Sequence, residues 1–249
     1  MKDSLNSKAY IHATETLGTV DGPGIRYVLF LQGCPFQCKY CHNRDSWEPN
    51  IREQKTVQDI LDDYNKYKHF YKNGGLTVSG GEPLMQLPFL IDLFKETKAL
   101  GIHTALDTSG GTFNPNREQE FLELLKYTDL VMLDLKLMDD EKHKWLTGHS
   151  NVNILKFAQF VDNHNIDMYI RHVIIPEIND EEKYYKPLRD FLDTLNNVKK
   201  IELLKYHNLG IDKWAQIGYV YELPHIRPAT QEDIDKASKI IIDGYKFKK

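Results

Sequence analysis

The sequence has few cysteines and no long apolar run. Its three cysteines are an odd number among 249 residues, and all of them lie between Cys34 and Cys41. A disulfide framework would spread an even set along the chain, so this grouping excludes one and indicates a metal or redox site in a reducing compartment. No apolar stretch approaches the roughly 20 residues of a membrane span, and the first residues lack the apolar core of a signal peptide. We therefore expect a cytoplasmic protein.

An excess of positive charge is also absent. The formal net charge is −4 at pH 7, and the lysines are scattered along the chain and form no basic block. Proteins that bind a phosphate backbone present a concentrated basic surface. This charge pattern argues against a nucleic acid as the partner, and the lack of an apolar span argues against a membrane.

What is present is an alternation of short β-branched or aromatic runs with longer amphipathic stretches, which is typical of repeated βα units. The predicted strands are Ile25–Leu31, Leu76–Ser79, His103–Asp107, Leu130–Lys136, Met168–Ile175 and Lys200–Tyr206. The predicted helices lie near Thr56–Tyr71, Pro88–Leu100, Arg117–Lys126, Val152–Asn163, Glu181–Leu195 and Thr230–Tyr245. Thr56 and Thr230 each precede acidic residues and a periodic apolar stretch, so we expect them to be helix N-caps.

Six successive βα units predict an α/β fold, namely a partial parallel (β/α)6 barrel that is open on one side. A doubly wound open sheet is the alternative that periodicity leaves open. We see no linker, low-complexity segment or sequence repeat, so residues 1–249 are expected to form a single domain. A chain of this length can bury a large core without a structural metal, so any metal site is expected to be functional.

Polar and glycine-rich segments follow the predicted strands at their carboxyl ends. They are GCPFQCKYCHN, SGGEP, DTSG, DLK, the stretch from Arg171 to Pro176, and Tyr206-His207-Asn208. In a parallel α/β barrel these ends open onto one face, where active sites are found. We therefore expect the six segments to converge on one site.

The cysteine spacing Cys34-x3-Cys38-x2-Cys41 places three thiols on one short loop. Thiolates suit soft metals, and sulfur surroundings favour zinc or an iron-sulfur cluster. A zinc site with three cysteines and a histidine would take His42 as its fourth ligand. Spacing alone leaves both sites open.

This triple, with the aromatic Tyr40 before its last cysteine, resembles the signature of the radical S-adenosylmethionine superfamily. The resemblance implies a 4Fe-4S cluster held by three cysteines, whose fourth iron binds the amino and carboxylate groups of S-adenosylmethionine. The segments TVDGPGIR and CHNRD, together with SGGEP, DLVMLDLK and KIELLKYHNLG, resemble the glycyl-radical enzyme activases within that superfamily. The chain has no cysteine beyond the triple, so it can hold at most one such cluster. This favours a resemblance to the short activases that act on pyruvate formate-lyase.

The activase resemblance implies a reaction and its partners. S-adenosylmethionine is cleaved reductively, and the resulting 5′-deoxyadenosyl radical removes hydrogen from a glycine of pyruvate formate-lyase under anaerobic conditions. No side chain needs to act as a general acid or base. A flavodoxin or ferredoxin is implied as the reductant, and a monomer is expected. The alternatives are an activase of another glycyl-radical enzyme, a radical S-adenosylmethionine enzyme acting on a small molecule, and a zinc-binding structural protein.

Several candidate residues also allow plain structural readings. Asp134 and Lys136 share one face of a strand, and two charges on a buried face need partners, so they could simply pair. The glycines of SGGEP and the polar residues of DTSG could form an ordinary turn and a cap. Arg171 could belong to a buried ion pair, and His207 could be a surface residue.

By resemblance the same positions contact S-adenosylmethionine. The implied contacts are Tyr40, His42, Gly80, Gly81, Glu82, Asp107, Asp134, Leu135, Lys136, Arg171 and His207. The resemblance also implies a monovalent-cation site formed by Asp107, Thr108, Met132 and Asp134. Asp21 is expected to help seat the glycine loop of the partner protein.

Overall fold

The computed structural model describes residues 4–248, in which strands and helices alternate as the sequence predicts. The strands are β1 (Lys8–Gly18), β2 (Arg26–Leu31), β3 (Gln54–Thr56), β4 (Gly75–Gly80), β5 (His103–Thr108), β6 (Leu130–Asp134), β7 (Asp167–Ile174) and β8 (Val198–Lys205). The α-helices are α1 (Val57–Tyr67), α2 (Leu87–Ala99), α3 (Glu118–Leu125), α4 (Asp140–Thr147), α5 (Val152–Asn163), α6 (Glu182–Thr194), α7 (Ile211–Gln216) and α8 (Gln231–Ile241).

The strands are hydrogen-bonded in the order β3-β1-β2-β4-β5-β6-β7-β8. β2 pairs in parallel with β4, β4 with β5, and β7 with β8, whereas β1 is antiparallel to both β2 and β3. The α/β class is therefore confirmed, and all six predicted strands are present. Two strands that were not predicted, β1 and β3, extend the sheet beyond β2.

Both additional strands give weak sequence signals. In β1, Ala9 and Ile11 are buried, but most of the residues that follow are exposed, so the strand shows little apolar alternation. β3 has only three residues and forms its pairs with Lys8, Ala9 and Tyr10. The helices α4 (DEKHKWLT) and α7 (IDKWAQ) were also not predicted, because each is short and carries too few apolar residues to show a helical period.

The chain forms two compact units that are interleaved in sequence. The first contains the residues up to Pro35 and Ser46–Met132, and the second contains Phe36–Asp45 and the residues from Leu133 onward. Cys34 therefore belongs to the first unit, whereas Cys38 and Cys41 belong to the second. A single domain over residues 1–249 stays a prediction.

The core of the first unit is built on strands whose side chains are almost all buried. Four consecutive residues of β2 and five of β4 are buried. Strands of parallel sheets that are covered on both faces are buried continuously in this way. Helix α2 contributes Leu90, Leu93 and Phe94, which are completely buried, to the same unit.

In the second unit, β7 shows strict alternation. Met168, Ile170, His172 and Ile174 are buried, while Arg171 lies on the less buried face between them. The two faces of this strand therefore carry different groups, a core face that includes a histidine and a second face that carries an arginine.

Two helix starts were identified correctly from the sequence. The Thr56 hydroxyl accepts a hydrogen bond from the backbone N–H of Asp59 at 3.0 Å, and the Asp59 carboxylate accepts one from the Thr56 N–H at 2.8 Å. Thr230 and Asp233 form the same reciprocal capping box at the start of α8. Across residues 4–248, no helix has both the length and the apolar character needed to cross a bilayer.

Candidate functional site

In the first unit, the SGGEP segment packs closely against the backbone that leads to Cys34. A Cβ on Gly80 would lie 2.3 Å from the backbone nitrogen and oxygen of Leu31, and Gly80 has a φ of +133°. A Cβ on Gly81 would lie 2.3 Å from the carbonyl oxygen of Gly33 and 2.9 Å from the Cβ of Cys34. Both glycines are therefore required by close backbone approach.

Glu82 is buried and its carboxylate is engaged within the protein. It accepts hydrogen bonds from the backbone N–H of Leu84 at 3.1 Å, from the backbone N–H of Ser109 at 3.0 Å, and from the hydroxyls of Ser109 and Thr108. Burial raises the pKa of Glu82, whereas these hydrogen bonds act to lower it. The side chain joins SGGEP to the loop after β5, a structural role that sequence reasoning did not assign.

The polar residues at the end of β5 lie beside this carboxylate. The Ser79 hydroxyl donates to a carboxylate oxygen of Asp107 at 2.7 Å. Thr108 donates its hydroxyl proton to Glu82 and accepts from the backbone N–H of Gly110 at 2.9 Å. The predicted residues Gly80, Gly81, Glu82, Asp107 and Thr108 thus form one connected group, and Met132 is a fully buried residue of the same unit.

Asp21 lies on a turn that a buried arginine holds. Its carbonyl accepts a hydrogen bond from the Thr77 hydroxyl at 2.7 Å. Arg26 is completely buried and donates to Thr77, to the carbonyl of Pro23 at 3.1 Å and to the carbonyl of Leu76 at 2.8 Å. These hydrogen bonds therefore fix the backbone of the TVDGPGIR turn that carries Asp21.

In the second unit, Asp134 joins two cations. One carboxylate oxygen lies 2.8 Å from Lys136 Nζ, and the other lies 3.0 Å from Arg171 Nε. Burial would raise the pKa of Asp134, but the charges of Arg171 and Lys136 outweigh it and lower this pKa to about 2. Burial opposes the charge of Lys136, yet Asp134 raises the lysine pKa well above its usual value. All three groups are therefore charged at neutral pH.

The cysteine loop brings Cys38 and Tyr40 near this ion cluster. Burial raises the pKa of the Cys38 thiol to about 12, and the nearby Lys136 charge acts in the opposite direction. Tyr40 is buried in the same surroundings, and its pKa is raised by burial. Within residues 4–248 the Tyr40 hydroxyl has no hydrogen-bond partner, which leaves a buried polar atom free for a ligand.

His42 and His207 form a second group in this unit. Their rings are stacked with centroids 4.0 Å apart and an angle of 22° between the planes. His42 Nε2 lies 3.2 Å from the carbonyl oxygen of His207. The buried Nδ1 of His207 has no hydrogen-bond partner among the residues that the structure describes. Burial lowers the pKa of His207, and His42 adds to that effect.

Both backbone polar groups of Leu135 contact residues of β7. Its N–H donates to the carbonyl of Arg171 at 3.0 Å, and its carbonyl oxygen lies 2.6 Å from His172 Nδ1. Sequence reasoning missed His172. The alternation of β7 could have pointed to it, because a histidine at a core position of a strand needs a polar partner.

Sequence reasoning also missed Trp214 in α7, which donates its indole N–H to the carbonyl of Cys41 at 2.7 Å. Several of the hydrogen bonds and ion pairs described above join residues that are distant in sequence.

Within residues 4–248, no three His, Cys, Asp or Glu side chains are arranged to hold a metal ion.

Comparison with known proteins finds relatives that cover most of this chain. Residues 20–155, which are more than half of the chain, match the family described as a 4Fe-4S single cluster domain. A pyruvate formate-lyase-activating enzyme of Staphylococcus epidermidis is 45% identical over 239 residues, which cover 94% of this chain and 95% of that protein.

Two solved structures have similar folds. A domain of the pyruvate-formate lyase-activating enzyme of Bacteroides vulgatus superimposes with a TM-score of 0.56 at 30% identity, covering 69% of this chain and 94% of that one. SuiB of Streptococcus suis, solved with S-adenosylmethionine bound, gives a TM-score of 0.65 at 19% identity, covering 85% of this chain and 45% of that one. At that identity SuiB supports the fold alone.

Proposed function

The chain belongs to the pyruvate formate-lyase-activating enzymes, a family of radical S-adenosylmethionine enzymes, and from this membership we propose how its own residues serve the reaction. The activity is the conversion of a glycine in pyruvate formate-lyase to a glycyl radical, with S-adenosylmethionine as co-substrate and one 4Fe-4S cluster as cofactor. The observation that carries this conclusion is the near full-length identity to activating enzymes. The resemblance drawn from the cysteine triple is confirmed.

We propose that Cys34, Cys38 and Cys41 hold the cluster. Three thiols in one short segment fit its donor chemistry, and the match to a 4Fe-4S family supports the cluster over the zinc site that the spacing left open. His42, which a zinc site would need as its fourth ligand, is stacked on His207. When bound, the cluster supplies the electron for reductive cleavage of S-adenosylmethionine.

In the second unit we assign S-adenosylmethionine contacts to the ion cluster. Lys136 would bind the substrate carboxylate. Asp134 raises the pKa of this lysine and so keeps it charged, and its side chain is only 11% exposed. Asp134 would lie by the ribose or a bound ion, and Arg171 would lie near the carboxylate and the sulfonium. Pairing with Asp134 keeps both cations oriented before the substrate arrives.

The nucleoside is proposed to lie against Tyr40, His42 and His207. Support comes from two buried polar atoms that have no hydrogen-bond partner among residues 4–248, the Tyr40 hydroxyl and His207 Nδ1, which a polar ligand would satisfy. Leu135 is proposed to add a contact from its side chain, since its peptide groups bond to β7.

In the first unit we propose that the backbone of Gly80 and Gly81 contacts the methionine amino group, with Glu82 fixing that segment from beneath. A monovalent cation is proposed at Asp107, Thr108, Met132 and Asp134. Thr108 directs its hydroxyl proton to Glu82, which leaves oxygen lone-pair density available to a cation.

We further propose that Asp21 helps seat the glycine loop of pyruvate formate-lyase, supported by the turn that Arg26 fixes beneath it. A flavodoxin or ferredoxin would deliver the electron. A monomeric state and a cytoplasmic location are proposed as well, the latter because three clustered cysteines that form no disulfide among the described residues suit a reducing compartment.

The deciding experiment is anaerobic incubation of the reconstituted protein with a reductant, S-adenosylmethionine and purified pyruvate formate-lyase. We expect a glycyl signal by electron paramagnetic resonance, accompanied by 5′-deoxyadenosine. Formation of 5′-deoxyadenosine without a protein radical would contradict the assignment of pyruvate formate-lyase as the partner. It would still support reductive cleavage of S-adenosylmethionine at the cluster. Cys38→Ala should abolish both products, and cleavage retained in that variant would contradict the cluster assignment.

A further inference from the structure

Two segments that are far apart in sequence meet in the second unit. One is the end of the cysteine loop, residues 41–45 (CHNRD). The other, which we call the clasp segment, is residues 207–219 and contains α7. The contacts between them involve each residue from Cys41 to Asp45.

The first contact fixes the backbone of the last cysteine. Trp214 is 2% exposed, and its indole N–H donates to the carbonyl oxygen of Cys41 at 2.7 Å. The ring meets Tyr221 edge to face, with centroids 5.4 Å apart and an interplanar angle of 82°. A buried indole N–H needs an acceptor, so the position of the ring and the position of the Cys41 carbonyl are tied together.

The second contact is close packing beside that carbonyl. A Cβ on Gly210 would lie 3.2 Å from the carbonyl oxygen of Cys41 and 3.2 Å from Cδ2 of His42. Together with the stack of His42 on His207, this places the start of the clasp segment directly against the loop.

The third contact is polar and lies further along the loop. Lys213 Nζ donates to Asn43 Oδ1 at 3.1 Å and pairs with an Asp45 carboxylate oxygen at 2.9 Å. The guanidinium carbon of Arg44 lies 3.8 Å from the ring centroid of Tyr219, within cation–π distance.

We propose that Trp214 is a positioning residue for the third cysteine. Its indole N–H fixes the backbone at Cys41, and Lys213 supports the residues that follow. The clasp segment thereby holds the third cysteine in position as a ligand of the cluster. This inference rests on the proposed function, because it assumes that Cys41 is a cluster ligand.

The test compares the wild type, Trp214→Phe and the matched control Trp145→Phe. Phenylalanine keeps a buried aromatic ring but removes the N–H donor together with the five-membered ring, while Trp145 is 51% exposed. Each protein is reconstituted anaerobically, its iron and sulfide are counted, and iron release to excess EDTA is timed. Loss of one hydrogen bond predicts release about fivefold faster from Trp214→Phe, with the control at the wild-type rate.

The urea unfolding midpoint of each protein without its cluster separates positioning from general stability. Release at the wild-type rate from a loaded Trp214→Phe protein would overturn the proposal, whatever its midpoint. If that variant does not fold, Lys213→Met replaces it, with Lys199→Met as its control because Lys199 pairs with Asp167 at 3.6 Å outside the clasp segment.

Lys213→Met should also release iron faster, and Lys213→Arg should restore the wild-type rate because it keeps the cation. Equal release from all three lysine variants would overturn the proposal. Failure of the proposed function is distinguishable, since it would appear in the wild type as a lack of bound iron and sulfide or of a glycyl radical.

Discussion

His172 Nδ1 lies 2.6 Å from the carbonyl oxygen of Leu135, the residue between Asp134 and Lys136. A carbonyl only accepts, so the imidazole donates from Nδ1, and its Nε2 faces the side-chain amide of Asn179 at 3.5 Å. A neutral histidine on the core face of β7 thus holds the backbone that spaces the two charges proposed to serve the substrate.

The stability of the protein without its cluster should depend on pH through His172. Burial lowers the pKa of His172 from 6.5 to about 4, the Lys136 charge adds to this, and the Leu135 hydrogen bond and Asp134 oppose it. Between these values the unfolded chain binds a proton that the folded chain excludes, so stability rises with pH and is lost as pH falls. Through His172 alone, the free energy of unfolding should rise by about 3 kcal/mol as the pH increases across this range.

The measurement is the urea unfolding free energy from pH 4.5 to 7.5 for the wild type and His172→Gln. The variant keeps a hydrogen-bond donor but does not titrate, so its pH slope in this range should be smaller. Equal slopes in the two proteins would show that other groups cause the dependence.

Lys136→Met should weaken S-adenosylmethionine binding by about 10- to 100-fold, because a charge-assisted hydrogen bond contributes roughly 1.5–3 kcal/mol. Folding should survive, since Asp134 keeps its pair with Arg171 at 3.0 Å. Anaerobic equilibrium dialysis of the cluster-loaded protein measures the affinity. Lys98→Met is the control, as it removes a lysine paired with Asp129 at 2.6 Å in the first unit. Equal affinities in the two variants would refute the assignment of Lys136.

The sequence predicts the six strands that alternate with the longer helices and misses β1 and β3, whose local signals are weak. β2 and β4 carry β-branched or aromatic residues and are buried almost throughout, and their predicted positions are correct to within a residue or two. β1 exposes most of its second half, and its role as a sheet strand depends on pairing with β2 and β3. Such pairing is a long-range property that a local pattern does not contain.

The same distinction applies to the site. Asp134 and Lys136 could be predicted as charges on one strand face, but the pairing with Arg171 requires strands 37 positions apart to meet. Trp214 bonds to a carbonyl 173 positions earlier, and a tryptophan in a short helix gives no sign of that partner. Residue types could therefore be predicted, whereas their partners came from the fold.

Glu82→Gln should destabilise the first unit by about 2 kcal/mol, because one of two buried acceptor oxygens is replaced by an NH2 group, which only donates. The backbone N–H and hydroxyl of Ser109 both donate to this carboxylate, and Thr108 donates to its other oxygen. Urea unfolding measures the loss. Glu120→Gln, which removes an exposed carboxylate paired with Arg117, should leave the midpoint unchanged. Similar midpoints for the two variants would mean that the Glu82 network contributes little.

Gly81→Ala should disturb the backbone at Cys34, the first of the three cysteines. The new Cβ would lie 2.3 Å from the Gly33 carbonyl oxygen and 2.9 Å from the Cys34 Cβ, distances that force the backbone to move. Overpacking of this kind costs about 1–3 kcal/mol, and the displaced Cys34 should lower the iron content after reconstitution. Gly101→Ala is the control that separates these effects. Its φ of +72° makes alanine strained by roughly 1–2 kcal/mol, yet a Cβ there meets nothing within 4 Å. Both variants should therefore lose stability, but only Gly81→Ala should lose iron, and equal iron content in the two would show that the close approach of Gly81 to Cys34 does not govern cluster binding.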